Sequence, residues 1–123
     1  MQTGSGTIAS YTCLNLPGAL EFLGDAQGVR DLLPALCAAL SKDVPEIAHL
    51  LSQGNATDAA ARLHSLKGFV PVFAFADLVQ EVTRVERLSR GGAGDEVKAA
   101  YAALAPALQR LGAEAAHYLE QPA

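Results

Sequence analysis

A histidine, a lysine and a glycine lie close together in the stretch ARLHSLKGFVPVF, which covers residues 61–73. His64, Lys67 and Gly68 stand in a run whose apolar residues otherwise recur with the spacing of a packing helix. A helix turns about 100° and rises about 1.5 Å per residue, so His64 and Lys67 share a face and lie about 4.5 Å apart along its axis. The sequence therefore predicts a histidine with a cation beside it.

Phosphoryl transfer is the chemistry that such a pair favours. A histidine side chain is largely unprotonated near pH 7, and its free nitrogen is then a good nucleophile. The phosphoryl group that it would carry is negatively charged, and a lysine one turn away can neutralise that charge. The alternative is a solvated surface pair without chemistry, the commoner arrangement for a single histidine beside a lysine.

Small or compact residues surround this pair on the same helix face, namely Ala60, Ala61, Gly68 and Pro71. None of them is long enough to shield the imidazole. Glycine in a helix interior costs roughly 1 kcal/mol relative to alanine, and a helix that only had to pack would not need it. We therefore predict that another molecule approaches the helix backbone beside His64.

The apolar periodicity predicts five helices. A short helix covers about residues 16–23, between a capping Asn15 and Gly24. Asp25 caps a second helix that runs to about residue 51, and Pro45 predicts a kink or a restart of that helix at Asp43. A third helix begins at Asn55, in a capping box with Asp58 in place of glutamate.

The second half of the chain continues the helical pattern. Pro71 is expected to end or kink the third helix, and a fourth helix covers about residues 75–90. The GGAG run reads as a loop, after which Asp95 caps a fifth helix that extends to about residue 119 and bends at Pro106. No stretch alternates with the period of a strand. The predicted fold is all-α: an antiparallel (up-down) four-helix bundle with a short additional N-terminal helix.

Length and composition predict a single domain. The chain has 123 residues, half of them apolar, with no tryptophan. Residues 1–12 are expected to be a flexible N-terminus, and residues 13–121 to form the bundle. Cys13 and Cys37 fit no disulfide or metal pattern and are read as reduced thiols. His49 and His117 lack metal-ligand spacing as well, so no metal site is expected.

Charge and hydropathy limit the classes of partner and the cellular location that we expect for this protein. The formal net charge is −4, with 9 Lys and Arg residues, which argues against nucleic acid or an anionic membrane as the main partner. No signal peptide or spanning segment is recognisable, so we expect a soluble, cytoplasmic protein. No glycine-rich nucleotide loop is present, so we expect no ATP site and no kinase activity.

The segment LHSLKGFVPVFAFADLVQEVTRVERL, residues 63–88, resembles the signature of histidine-containing phosphotransfer (HPt) domains, H-x-L-K-G followed by a short break and another helix. The resemblance implies that His64 is the phosphorylated residue, and Lys67 and Gly68 take the places of the family's lysine and permissive glycine. The same stretch is similar to the phosphotransfer domain of chemotaxis histidine kinases. There a glutamate on the following helix bonds the reactive imidazole, and Glu86 stands in that place.

The resemblance further implies the partners and the reaction. A receiver domain of a response regulator or of a hybrid sensor histidine kinase would donate an aspartyl phosphoryl group to His64, and another receiver would take it away. The receiver would supply Mg²⁺, while this chain binds no cofactor and acts as a monomer. The sequence departs from the family at Phe69, Pro71 and Ala74, and we expect Phe69 to join Ala60, Ala61, Gly68 and Pro71 in docking the receiver.

Two other functions and one other role for Glu86 stay open at this point. The chain could be a docking module that binds a receiver or kinase without being phosphorylated. It could also be a chemotaxis-type domain that a kinase ATP-binding domain phosphorylates directly. Glu86 either orients the imidazole, leaving Nε2 as the nucleophile, or is an exposed carboxylate paired with Arg90 or Arg62.

Overall fold

A computed structural model describes residues 11–91 and 94–122, and this part of the chain is all-helical. Its helices are α1 (Leu16–Leu23), α2 (Ala26–Ser52), α3 (Ala56–Phe73), α4 (Ala76–Gly91) and α5 (Gly94–Glu120). The predicted all-α class is confirmed, and the bounds of α1 agree with the prediction. Of the loop predicted at GGAG, Gly91 and Gly94 belong to helices, and residues 92–93 lie outside the described residues.

Side-chain caps begin the first three helices where the sequence predicts them. The Asn15 and Asp25 side chains accept hydrogen bonds from the backbone amides of Gly18 and Gly28. Asn55 accepts from the Asp58 amide and donates its own side-chain amide to the Asp58 carboxylate, at 3.3 and 2.9 Å. These bonds satisfy amides that the first helical turn leaves free. In the second half of the chain, α5 begins at Gly94, two residues earlier than a cap at Asp95 predicts, and Asp95 lies inside its first turn.

The helix-interior prolines do not divide the helices. The restart predicted at Asp43 is wrong, because α2 runs unbroken through Pro45 to Ser52. Val44 and Ile47, on either side of the exposed Pro45, are both buried in the core. We attribute the continuity to this packing, which outweighs the hydrogen bond lost at the proline. Likewise α3 continues for two residues beyond Pro71, and α5 is continuous through Pro106.

The long helices pack as a closed ring of neighbours. In the described residues α2 packs on α3, α3 on α4, α4 on α5, and α5 back on α2, while α1 lies against α2 and α3. The core inside this ring is built mainly from leucine, valine and alanine, with Tyr101 among its larger side chains. Its most deeply buried side chains include Leu33, Ile47, Leu63, Leu66, Tyr101, Leu104, Leu108 and Leu111. This ring holds α3, the histidine-bearing helix, between α2 and α4.

The chain segment before α1 is hydrogen-bonded both to α5 and to the segment that follows α3. Glu114 of α5 accepts hydrogen bonds from the amides of Thr12, Cys13 and Leu14 at 2.9–3.1 Å. Cys13 O accepts from the Phe75 amide, and Asn15 donates its amide to Phe73 O at 2.7 Å. Of the segment expected to be flexible, residues 1–10 lie outside the described part, and Thr12 is hydrogen-bonded to Glu114. This attachment holds α1 beside the C-terminal end of α3.

The Glu114 contacts predict an acid-sensitive attachment. Burial raises the pKa of Glu114, but the hydrogen bonds from Leu14, Cys13 and Thr12 outweigh it, so the pKa lies below its usual 4.5. A lowered folded-state pKa contributes stability that is present above pH 4.5 and is lost as the pH falls through the folded value. In urea unfolding at pH 7, Glu114→Gln should lose about 1–2 kcal/mol of unfolding free energy.

Two features of the same experiment test the assignment. The difference between Glu114→Gln and the wild type should shrink as the pH falls below 4.5, because the wild-type carboxylate is then protonated. Glu120→Gln, an exposed change on the same helix, is the matched control and should behave as the wild type. A Glu114→Gln difference that does not change with pH would contradict the assignment.

Candidate functional site

Helix α3 has one buried and one exposed face, as its sequence predicts. Ala59, Leu63, Leu66 and Val70 are completely buried, whereas the His64 side chain is 72% exposed. Its imidazole is therefore open to an incoming molecule while its helix is held rigidly by the core.

Glu86 of α4 is the buried acid of this region. Its side chain is 1% exposed and lies against His64 and Lys67 of α3. The exposure assumed in the alternative prediction is therefore wrong, but its pairing of Glu86 with Arg90 is confirmed, at 3.0 Å. Arg62, one of the two partners considered for it, instead forms an ion pair with Asp43 at 3.1 Å.

Three basic side chains converge on the Glu86 carboxylate. Oε1 is 3.3 Å from Lys67 Nζ, and Oε2 is 3.5 Å from His64 Nδ1 and 3.0 Å from Arg90 Nε. We call His64, Lys67, Glu86 and Arg90 the His64 cluster. With a neutral imidazole, its two cations and one carboxylate leave a net charge of +1, which favours the approach of an anionic group.

The geometry of the cluster defines which imidazole nitrogen is free. Nδ1 faces the carboxylate, so an Nδ1–H bond would be directed at Oε2 and would leave the Nε2 lone pair unprotonated. Lys67 is already engaged, since its ammonium group donates a hydrogen bond to Oε1. Its side chain remains one-third exposed, so it can turn to a charge brought to His64. The sequence named Lys67 only as a partner of phosphate.

The four small or compact residues predicted around His64 lie on the same helix face as His64. Ala61, Gly68 and Pro71 are exposed, and Ala60 is partly so. Phe69 does not lie on this face: it is about 140° around the helix from His64 and half-buried. Phe69 instead lines an apolar cavity of about 390 Å³ between α1, α2 and α3, with Phe22, Leu23, Leu32, Ala35, Leu36, Ala39, Val72 and Phe73.

An open depression adjoins this face where α1 meets α3. It is lined by Gly68, Pro71 and Val72 from α3, and by Asn15, Gly18, Glu21 and Phe22. The Phe22 side chain is 72% exposed, an unusual position for a large apolar residue. The sequence reasoning did not name Val72 as a docking residue, although it lines both the depression and the cavity. Val72 lies four residues after Gly68, and this helical spacing could have placed it on the same side of α3.

Gly68 gives a test of whether the exposed face is used. An added Cβ would meet no other side chain within 4 Å, so nothing in the described fold requires glycine there. Gly68→Ala should therefore raise the unfolding free energy by about 1 kcal/mol in urea titration. If a partner docks on this face, the same change should slow phosphoryl transfer several-fold, because the methyl group projects into the partner's space.

Gly112→Ala is the matched control for this test. Gly112 is also inside a long helix, and its added Cβ would lie 3.6 Å from Leu40 Cδ1, an ordinary contact. This variant should be stabilised without any change in transfer. A Gly68→Ala protein that is stabilised and transfers at the wild-type rate would contradict the docking role.

The remaining polar residues do not form a second site in the described part of the chain. No group of three or more His, Cys, Asp or Glu residues is placed to hold a metal ion there. His49 is exposed on α2, and His117 is hydrogen-bonded through Nδ1 to the Tyr11 hydroxyl at 2.7 Å. Cys13 and Cys37 are both free thiols, and burial raises the pKa of each.

No family model, curated protein or solved structure matches this chain. Among the described residues, no helix is both long enough and apolar enough to cross a membrane. The functional argument therefore depends on the His64 cluster and on the face around it.

Proposed function

We propose that this chain is a phosphocarrier of a two-component phosphorelay, in which His64 accepts a phosphoryl group from a receiver aspartate and passes it to another. The observation that carries the proposal is an exposed imidazole whose Nδ1 lies 3.5 Å from a buried carboxylate that also binds Lys67. We further propose that the four long helices form an antiparallel bundle. The carrier then works in the cytoplasm, where receiver domains are found.

The proposed step exchanges one phosphorus bond for another. The Nε2 lone pair of His64 attacks the phosphorus of the receiver's aspartyl phosphate, the N–P bond forms, and the acyl O–P bond breaks with the carboxylate as leaving group. Nδ1 keeps its proton, directed at Glu86, so no acid or base is consumed. Lys67 turns from Glu86 towards the phosphoryl oxygens, and the reverse reaction uses the same groups.

The receiver brings what this chain lacks in the proposed reaction. Mg²⁺ and the acidic pocket belong to the receiver, whether free or part of a hybrid sensor histidine kinase. This chain contributes the nucleophile, one mobile cation and a docking face of small residues on which the receiver can come close. Transient complexes of this type bury a small interface with an apolar centre and a polar rim. Phe22, beside the depression, would supply the apolar contact.

The decisive experiment is phosphoryl uptake from a labelled receiver. Receiver domains of the source organism are phosphorylated one by one with ³²P and mixed with the chain. We expect label on this chain that is stable in base and lost in acid, the behaviour of a phosphoramidate. Absence of label with every receiver, under conditions in which the receivers pass label to a reference carrier, would refute the proposal.

Two specific observations favour the competing functions. The apolar cavity beside Phe22 and Phe69 would suit a docking module that needs no phosphate, and such a module would bind a receiver without taking up label. The His64–Glu86 pair would also suit direct phosphorylation by a kinase ATP-binding domain. In that case label would appear with ATP and a kinase, and no receiver would act as donor.

A further inference from the structure

Arg90 is the member of the His64 cluster to which neither the motif nor the resemblance gives a role. It lies one helical turn after Glu86 on α4, and its Nε is 3.0 Å from Glu86 Oε2. This is the shortest of the contacts that the carboxylate makes with a basic group. Lys67 contacts the other oxygen, Oε1, at 3.3 Å. The two cations therefore hold the carboxylate by different oxygens.

The Oε2 atom is both buried and incompletely bonded. It has no hydrogen bond of good geometry in the described part of the chain, although Arg90 Nε and His64 Nδ1 lie 3.0 and 3.5 Å away. A buried carboxylate oxygen in this condition is costly unless a charge stays close to it. Arg90 supplies that charge at the atom that faces the imidazole, whereas Lys67 contacts the other oxygen.

The proposed reaction makes different demands on the two cations. Lys67, on α3 with His64, has to leave Glu86 in order to neutralise an arriving phosphoryl group. Arg90 is then the remaining cation among the groups that face Glu86, which are His64 and Lys67 from α3 and Arg90 from α4. Without Arg90, the buried carboxylate would have only the imidazole ring beside it, which becomes positively charged only as the N–P bond forms.

We propose that Arg90 is a positioning residue for phosphoryl transfer: it holds Glu86 Oε2 against His64 Nδ1 and keeps the Nδ1–H tautomer in place while Lys67 serves the phosphoryl group. The expected effect of Arg90 on the transfer rate rests on the proposed function of His64. The structural part of the inference concerns the free protein alone.

The test combines tautomer measurement with transfer kinetics on the full chain. Long-range ¹H–¹⁵N spectra report which imidazole nitrogen of His64 carries the proton. Arg90→Ala should lower the Nδ1–H fraction and reduce the transfer rate at saturating receiver about three- to fivefold, as expected for one partly exposed ion pair. The half-saturating receiver concentration should change less than twofold, and Arg90→Lys should recover most of both effects.

Arg87→Ala is the matched control. Arg87 is exposed on the same helix and makes no ion pair within residues 11–91 and 94–122, so this variant removes the same charge without touching Glu86. It should keep the wild-type tautomer and rate.

Two results would overturn the inference. One is an Arg90→Ala protein with unchanged tautomer and rate. The other is a variant with more Nδ1–H tautomer and faster transfer, which would mean that Arg90 competes with His64 for Oε2. Because the tautomer is read on the free protein, its loss in Arg90→Ala supports the positioning role even where the wild type takes up no phosphate. That last outcome would contradict only the proposed function.

Discussion

A His64→Gln protein takes up no phosphate from any receiver that labels the wild type. Glutamine has an amide in place of the imidazole and offers no nucleophilic nitrogen, so the loss should be complete within the detection limit. The fold should be unaffected, because the His64 side chain is 72% exposed and its polar contact within the described residues is the 3.5 Å approach to Glu86. We expect the unfolding free energy to stay within about 0.5 kcal/mol of the wild type.

His49→Gln is the matched control for this result. His49 is also exposed on a long helix, but it forms no ion pair with a carboxylate in the described residues. Its replacement should leave the extent and rate of labelling unchanged. Label on the His64→Gln protein would show that another group carries the phosphate. A His64→Gln protein that still binds a receiver would confirm that docking and chemistry are separable.

A Glu86→Gln protein transfers phosphate about tenfold more slowly than the wild type. The substitution replaces the charged hydrogen-bond acceptor beside Nδ1 with a neutral one. The free energies of hydrogen bonds to the two acceptors differ by roughly 1.4 kcal/mol, which corresponds to a factor of ten in rate. The amide can also turn its NH₂ group towards Nδ1 and favour the wrong tautomer. Stopped-time labelling with a saturating phosphorylated receiver measures the rate, and the His64 tautomer is read by NMR.

The stability of Glu86→Gln separates an orienting role from a structural one. Lys67 and Arg90 are both open enough to water to be solvated when the carboxylate is neutralised, since their side chains are 34% and 58% exposed. We therefore expect a change of less than about 1 kcal/mol in unfolding free energy. Glu81→Gln on the same helix, where the carboxylate is 48% exposed and paired with Arg84, is the control. Transfer at the wild-type rate in Glu86→Gln would refute the orienting role.

The local signals in the sequence were sufficient for most of the helices. Asn15, Asp25 and Asn55 are capping residues whose side chains reach the third amide beyond them, a contact made within one turn. The predictions at the prolines were wrong because the hydrogen bond lost at a proline is only one of the free-energy contributions that decide whether a helix continues. Pro45 removes a hydrogen bond, while Val44 and Ile47 bury apolar surface on either side of it.

The attachment of the N-terminal segment could not be read from the sequence. Thr12 and Cys13 have the composition of a loose terminus, and their amides find Glu114 only because α5 ends beside them in the fold. Nothing in the sequence indicates that an ordinary polar segment will contact a carboxylate that is distant along the chain. Their contact depends on how α5 packs against the other helices of the ring.

The sequence by itself determined the two faces of α3. The period of 3.6 residues separates Leu63 and Leu66 from His64, and the cost of a helical glycine points to an open surface at Gly68, where the structure leaves the space empty. Only the tertiary structure decided the environment of Glu86. Whether that side chain is solvated or buried against Lys67 and His64 depends on how α4 rotates and packs on α3, and burial is what makes its charge matter to the imidazole.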